Sequence, residues 1–546
     1  SALDSTQMAA FTALQVQGLT TTQLSGLTTT DFGKLTPAQV QAMGAWQIGA
    51  IPVDDLATLS VTQIQGLNSA QVGGLSTTQL SSMSATDFAR FTSSQIQVLS
   101  ATQFGALSAE SLSGLSATQI AGFSTTKIQG LTGTQISSLS ATDFNKFTTT
   151  QIKVLSAAQL GALSATNFSG LDATIIGALS TTQVKGLTPF QARSLTATDI
   201  GEFSSAQVAA LSAAQIGAFS STGLGALNAT QIDALTATQI GGLSQTGVSG
   251  LSTTQVGLLS TTQVKGFSAS LLAGIAVTDF AKLAPGQVAA LTAAQIGALS
   301  NANLTAASIG DLSTTQAQGL SATQLAGFSA TDVGLLSFVQ LRAFSTSQVN
   351  GLGTTSLGML SSLQLAAFTA GQMASLSLTN LSALSDTQVA ALSVTQVQAL
   401  TTFQVHSLNE TDIAEFTATQ IGGLTAPQLG AITTTSLFAL ADTQIGAISS
   451  TQLAGLVVGQ VSALDATQLG KFTTTQIGAF STLQIGSLST TLIGALATTQ
   501  VAALKVSQIP GLTITQVRQL TTTNIAAMSP AQLNAMSALQ VQNLAS

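Results

Sequence analysis

The sequence predicts an all-α fold: a solenoid of very short capped helices, one per eight-residue repeat. Three observations carry that prediction. A large apolar residue recurs at every eighth position. Ser or Thr follows it, with Gln three residues further on. Most prolines fall where such a helix would begin.

The recurrence comes first, because internal repeats decide an architecture before any local pattern does. Leu3, Phe11, Leu19, Leu27 and Leu35 open a register that holds for 37 octads, to Leu299. Leu299 to Leu312 is 13 residues, after which the register resumes for 29 octads, to Leu544. Every one of these anchors is Leu, Phe, Met or Ile. The expected organisation is a solenoid over 1–299, a register slip or kink at 300–311, and a continuous solenoid over 312–546.

Numbered from the anchor, an octad reads L-[ST]-x-[TAS]-Q-[IVLF]-x-x. Ser or Thr at position 2 with Gln at position 5 is a capping box: the hydroxyl accepts from the N3 amide, and the Gln side chain reaches back to the N-cap amide. Positions 1 and 6 are then N′ and N4, the two halves of a hydrophobic staple. Asp4, Asn68, Asp172, Asn228, Asn409 and Asp465 are alternative N-caps at position 2. Pro37, Pro189, Pro285 and Pro530 sit at position 3, the N1 position where a missing N–H costs nothing, and Pro427 sits at N2. Glycines near position 7 are expected to end each helix by tolerating positive φ, and small residues there let neighbouring backbones approach.

Two rival folds meet the same repeat. In one continuous helix the apolar stripe would drift by about 80° per octad and wind around the axis. A β-solenoid fits the Thr, Ile and Val content. Positions 1 and 6 have opposite parity, however, so alternation fails unless each octad holds a turn, and proline would sit inside strands. The β-solenoid is the alternative. The pattern fits either two or three octads per turn, and the array, not the octad, is the folding unit.

Composition narrows function. Of 546 residues 45% are hydrophobic, 6% charged and 4% aromatic, with no Cys or Tyr, one His and one Trp. Thiolate chemistry and paired-histidine relays are thereby excluded. The net charge of −7 is spread thinly. There is no basic cluster of the kind that marks a nucleic-acid binder, and no apolar run long enough to span a bilayer. No catalytic, cofactor-binding or metal residue is expected, and no enzyme.

Departures from the repeat are the remaining candidates. Asp31 with Lys34, Asp87 with Arg90 and Asp143 with Lys146 recur every seventh octad; Asp199 continues the spacing but meets Glu202, and Asp279 with Lys282 breaks it. Two readings apply: a periodic stripe of ion pairs that registers neighbouring chains in an assembly, or N3 acids favoured by the helix N-terminus with an i,i+3 cation. His406 reads as a surface residue. The adjacent acids Asp54 and Asp55 lack the oxygen-rich loop of a calcium site. Trp46, at position 4 near Pro52, reads as a local packing variant or an exposed contact.

The octads L-S-T-T-Q-V and L-S-A-T-Q-I-G-G-L resemble the degenerate tandem repeats of very large bacterial secreted or cell-surface proteins, often called adhesin-like. That resemblance spans the chain and implies an extracellular or cell-surface location and a structural or adhesive role, with no active residues. The L-T-x-x-Q-V opening is also similar to DNA-reading TAL-effector repeats, but those are much longer and need basic residues facing phosphate, so nucleic acid is not expected. The expected function is a stalk, filament or surface-layer subunit that self-associates into a filament or layer and touches a cell surface or matrix. The alternative is an adhesin or an ice-binding array.

Overall fold

The structure, a computed structural model, describes residues 4–544; the first anchor, Leu3, lies outside them. The described residues form 66 α-helices and two 3₁₀ helices, each three to seven residues long, with no strand among them. The all-α prediction holds and the β-solenoid is set aside. The chain divides into two compact units, one up to Ala290 and one from Leu291.

One octad makes one side of a coil. Ser140 serves as N-cap for the helix Ala141–Phe144, its hydroxyl accepting from the Asp143 amide. Ser204, Ser212 and Thr236 do the same for the helices that follow them. Both apolar positions are buried: Ile216 at position 6 is fully covered and the anchor Leu211 is 3% exposed. Five prolines sit at N1 or N2 as the capping pattern requires. Pro52 is itself an N-cap, and Pro510 lies in the 3₁₀ helix Val506–Gly511, where α-helical bonding gives way.

Three octads close one coil in both units. Each helix packs on the helix three places along the chain, as Ala213–Ala218 does on Ala237–Gly241, and as Val458–Ser462 does on Thr482–Ser487. Position-6 side chains and anchors together make up the buried interior. At a corner two consecutive residues are extended, as Leu139 and Ser140 are, at φ −66° and −72°.

The glycines do not end helices through positive φ. Among described residues only Gly353 and Ser308 have φ in the left-handed region, at 66° and 58°. Close approach is the reason for part of them, while others, such as Gly73 and Gly257, have open space where a Cβ would stand. A Cβ on Gly186 would stand 2.0 Å from the Ala157 carbonyl oxygen one coil away, and one on Gly217 would stand 2.1 Å from that of Gly242.

The slip at 300–311 has a specific structure. After the helix Asn301–Ala306 the chain turns at Ser308 and forms a three-residue 3₁₀ helix, Ile309–Asp311. Ile309 is fully buried, as a position-6 residue is. Residues 307–311 thus make a whole side out of five residues, and the three-sided coil continues through it.

Candidate functional site

The repeated chemistry lies at position 5. In a helix of five or six residues nearly every backbone polar group is terminal, and the last carbonyls have no intrahelical donor. Gln207 meets both needs. Its Oε1 accepts from the Ser204 amide at 2.7 Å, closing the capping box. Its Nε2 donates to the carbonyls of Ile176 and Leu179, at 2.6 and 2.8 Å, where a helix of the preceding coil ends. Gln39, Gln71, Gln191, Gln372 and Gln516 repeat this bridge to residues 31 and 28 earlier. The amide is buried: Gln71 and Gln207 are each 1% exposed.

From sequence, Gln declares only its local capping role. One signal could have exposed the second. Glu serves a capping box as well as Gln does, yet Glu never occupies position 5 in the whole chain. A carboxylate supplies the acceptor half of the job and lacks the donor half.

The short side at 307–311 confirms the coil count. Gln316 reaches the Leu291 carbonyl 25 residues back, and Gln324 reaches Ile296 and Leu299, 28 and 25 back. Each span is three residues shorter than elsewhere, the difference between a side of eight and one of five. Gln340 returns to the spans of 31 and 28, through Ile309 and Leu312.

The Asp–Lys and Asp–Arg pairs split the glutamine's work between two residues. Asp143 takes the acceptor half, receiving hydrogen bonds from the Ser140 hydroxyl and from Ser113 of the preceding coil. Lys146 takes the donor half, binding Asp143 at 2.9 Å and donating to the carbonyls of Ser113 and Leu115. Those two carbonyls stand in the same register to Asp143 as the Lys153 and Leu155 carbonyls, both bound by the Gln183 amide, stand to Gln183. Arg90, paired with Asp87, donates to Ala57 and Leu59; Lys282, paired with Asp279, donates to Ser249 and Leu251; Lys34 pairs with Asp31 at 2.9 Å. Burial pushes the Asp143 carboxyl up, but the Ser113 and Ser140 hydroxyls and the Lys146 ammonium outweigh it and hold the group at about 2.

The structure does not gather these pairs into a stripe. Seven octads are two coils and one side, so Asp31, Asp87 and Asp143 fall on three different faces. Their cations are turned to the chain's own carboxylates and carbonyls.

Other residues at position 5 do less. Lys127 is 6% exposed and donates to the carbonyls of Ile96 and Gln97, while Ser124 receives no side-chain cap bond; burial pushes the lysine's pKa down. Asn167, one methylene shorter than Gln, reaches only Leu139, and its Oδ1 is buried without a partner. Asp55 is 3% exposed, with Oδ2 likewise unpartnered. Burial raises its pKa, the Thr29 hydroxyl opposes that, and Asp54 adds to it.

At Asp412 the eighth position holds Glu415 in place of a cation. Burial, with Asp386 and Asp412 close by, pushes the Glu415 carboxyl up to about 7. Burial also raises Glu202, beside Asp199 and Asp172. His406 is exposed, its Nδ1 2.9 Å from the Ala431 carbonyl oxygen. Trp46 is 57% exposed, at N2 of the helix Ala45–Ile48. No helix among the described residues is long and apolar enough to cross a membrane, and no group of three potential metal ligands occurs among them.

Fold and glutamine ladder together define a tandem-repeat protein of the helical-solenoid class. Residues 48–85, a stretch holding the bridging residues Gln63, Gln71 and Gln79, match the model of the ALTTAQ repeat family. A search of curated proteins returns no match to this chain.

Proposed function

We propose that this chain is a structural element: a stalk, filament or surface-layer subunit outside the cell or on its surface, with self-association as its mode of assembly. One observation carries the reading. The chemistry that the octads share goes into joining one coil to the next through a buried side-chain amide. Such a ladder holds an extended array together along its length and serves no particular point on its surface. The low charge content leaves little repulsion between copies. The resemblance to bacterial surface repeats supports the location.

Electron cryotomography of producing cells, with the chain labelled, tests this. The expected result is label on ordered filaments, sheets or stalks at the cell surface. Label confined to a dispersed internal pool overturns it.

A further inference from the structure

We infer that one face of the second unit docks a second copy of this chain, in antiparallel orientation; the inference rests on the self-association proposed above. The face consists of every third octad from Leu312 to Leu504. Its rows are joined by the same bridges: Gln340 reaches back to Leu312, Gln364 to Leu336, Gln388 to Leu360, Ser436 to Leu408, Gln460 to Ile432, Gln484 to Leu456 and Gln508 to Phe480, and the Leu408 row is held through Asp412 by Ser382, just before the Leu384 row.

Elsewhere positions 3 and 4 are mostly Thr, Ala or Ser. On this face they carry Phe338, Val339 and Leu363 at one end, and Val458, Leu483 and Val506 at the other, 46–78% exposed. Val457, Leu335 and Met359 extend the two patches. Between them, the other two faces expose one large apolar side chain to a comparable degree at these positions in the octads from Leu312 to Met528, namely Phe403. The apolar surface exposed on the docking face is roughly 800 Å² per copy, the amount a standard-size interface buries on each partner.

The order of rows identifies the partner. Counted in coils from the Leu408 row, which carries Glu410, the Phe338 and Leu363 rows lie three and two coils before it. The Val458 and Leu483 rows lie two and three coils after it. A two-fold axis through the Leu408 row therefore sets Leu363 on Val458 and Phe338 on Leu483, as an isologous contact requires. It also brings Lys505 of one copy to the corner where Asp311 of the other adjoins the Leu312 row, and Asp386 to the neutral pair Thr434 and Thr435. Glu410, on the axis, meets its own copy in either orientation. A parallel pair would in addition oppose Asp386 and Lys505 each to itself, so charge selects the antiparallel arrangement.

Sedimentation of the full chain, up to about 100 μM and so above the micromolar limit of such interfaces, should show a dimer. Leu363→Thr with Leu483→Thr should leave a monomer of unchanged circular dichroism, and Phe403→Thr should leave the dimer intact. The chain has no cysteine, so a Leu363→Cys chain mixed with a Val458→Cys chain should cross-link to it, and not to itself. Removing one octad, residues 424–431, turns the two patches onto different faces and should abolish the dimer. Removing one coil, residues 424–447, keeps them aligned and should retain it. A monomer throughout, a dimer that survives the double substitution, or Leu363→Cys chains that link to one another each overturn the inference. Ordered surface filaments alongside a monomer unaffected by these changes would leave the structural role standing and remove only this face.

Discussion

A single glutamine amide faces two ways in most octads, and this fixes what substitution at position 5 does. Gln207→Glu keeps the capping acceptor but replaces the donor with a carboxylate held against two carbonyls. It should cost about 3 kcal/mol, the penalty of an unpaired buried charge, read as faster hydrogen exchange in the helices Ala173–Ala178 and Ser205–Ala210. Lys127→Gln should instead stabilise by about 1 kcal/mol, because it restores the cap at Ser124 and removes a buried cation. Glu415 makes stability depend on pH. Its carboxyl is raised from 4.5 to about 7 in the folded chain, so the folded state holds the proton more tightly and stability falls as pH rises between those values. Glu415→Lys rebuilds the arrangement of Asp143 with Lys146 and should raise the melting temperature at pH 8 while flattening that dependence. Asp143 acts in the opposite sense. Its pKa is depressed from 3.8 to about 2, so its contribution is present above pH 4 and is lost as pH falls toward 2.

A helix of five residues has no independent stability, and here each depends on both ends being satisfied. Its N-terminus is capped from within its own octad and its C-terminus by the amide of a later coil. The corners are extended and the N1 and N2 amides have no intrahelical acceptor, so proline is tolerated at positions 3 and 4, whereas Pro510, at position 7, lies in a 3₁₀ helix. Ala213→Pro should be nearly neutral in thermal unfolding. Ile216→Pro should cost about 3 kcal/mol or more, of the order known for a helix interior, with loss of a fully buried side chain besides. Some glycines at positions 7 and 8 answer to the neighbouring coil: Gly217→Val would press into the Gly242 carbonyl and should destabilise by about 2 kcal/mol.

Across each unit the structure is one-dimensional, every coil touching only the coils before and after it. Unfolding monitored by exchange should therefore be non-two-state, with a substitution such as Gln207→Glu loosening its own and adjacent coils and leaving distant ones protected. The five-residue side at 307–311 shows how the array absorbs irregularity. The coil needs three corners and a buried residue on each side, which Ile309 supplies, and the length of the side matters less.

The local structure was legible in the sequence because it is governed by contacts within one octad. The capping box, the staple and N1 proline specify a short helix without reference to anything distant, and they also marked both buried apolar positions of each octad. Tertiary structure alone decided that three octads make a coil, since the closing angle depends on how sides pack around the axis. From that number follow the rest: the second role of Gln207, which needs the Leu179 carbonyl one coil back; the scattering of Asp31, Asp87 and Asp143 over three faces; and the alignment of Phe338, Leu363 and Leu483 on one. Local hydrogen bonding writes itself into adjacent residues, whereas a face exists only once the coil has closed.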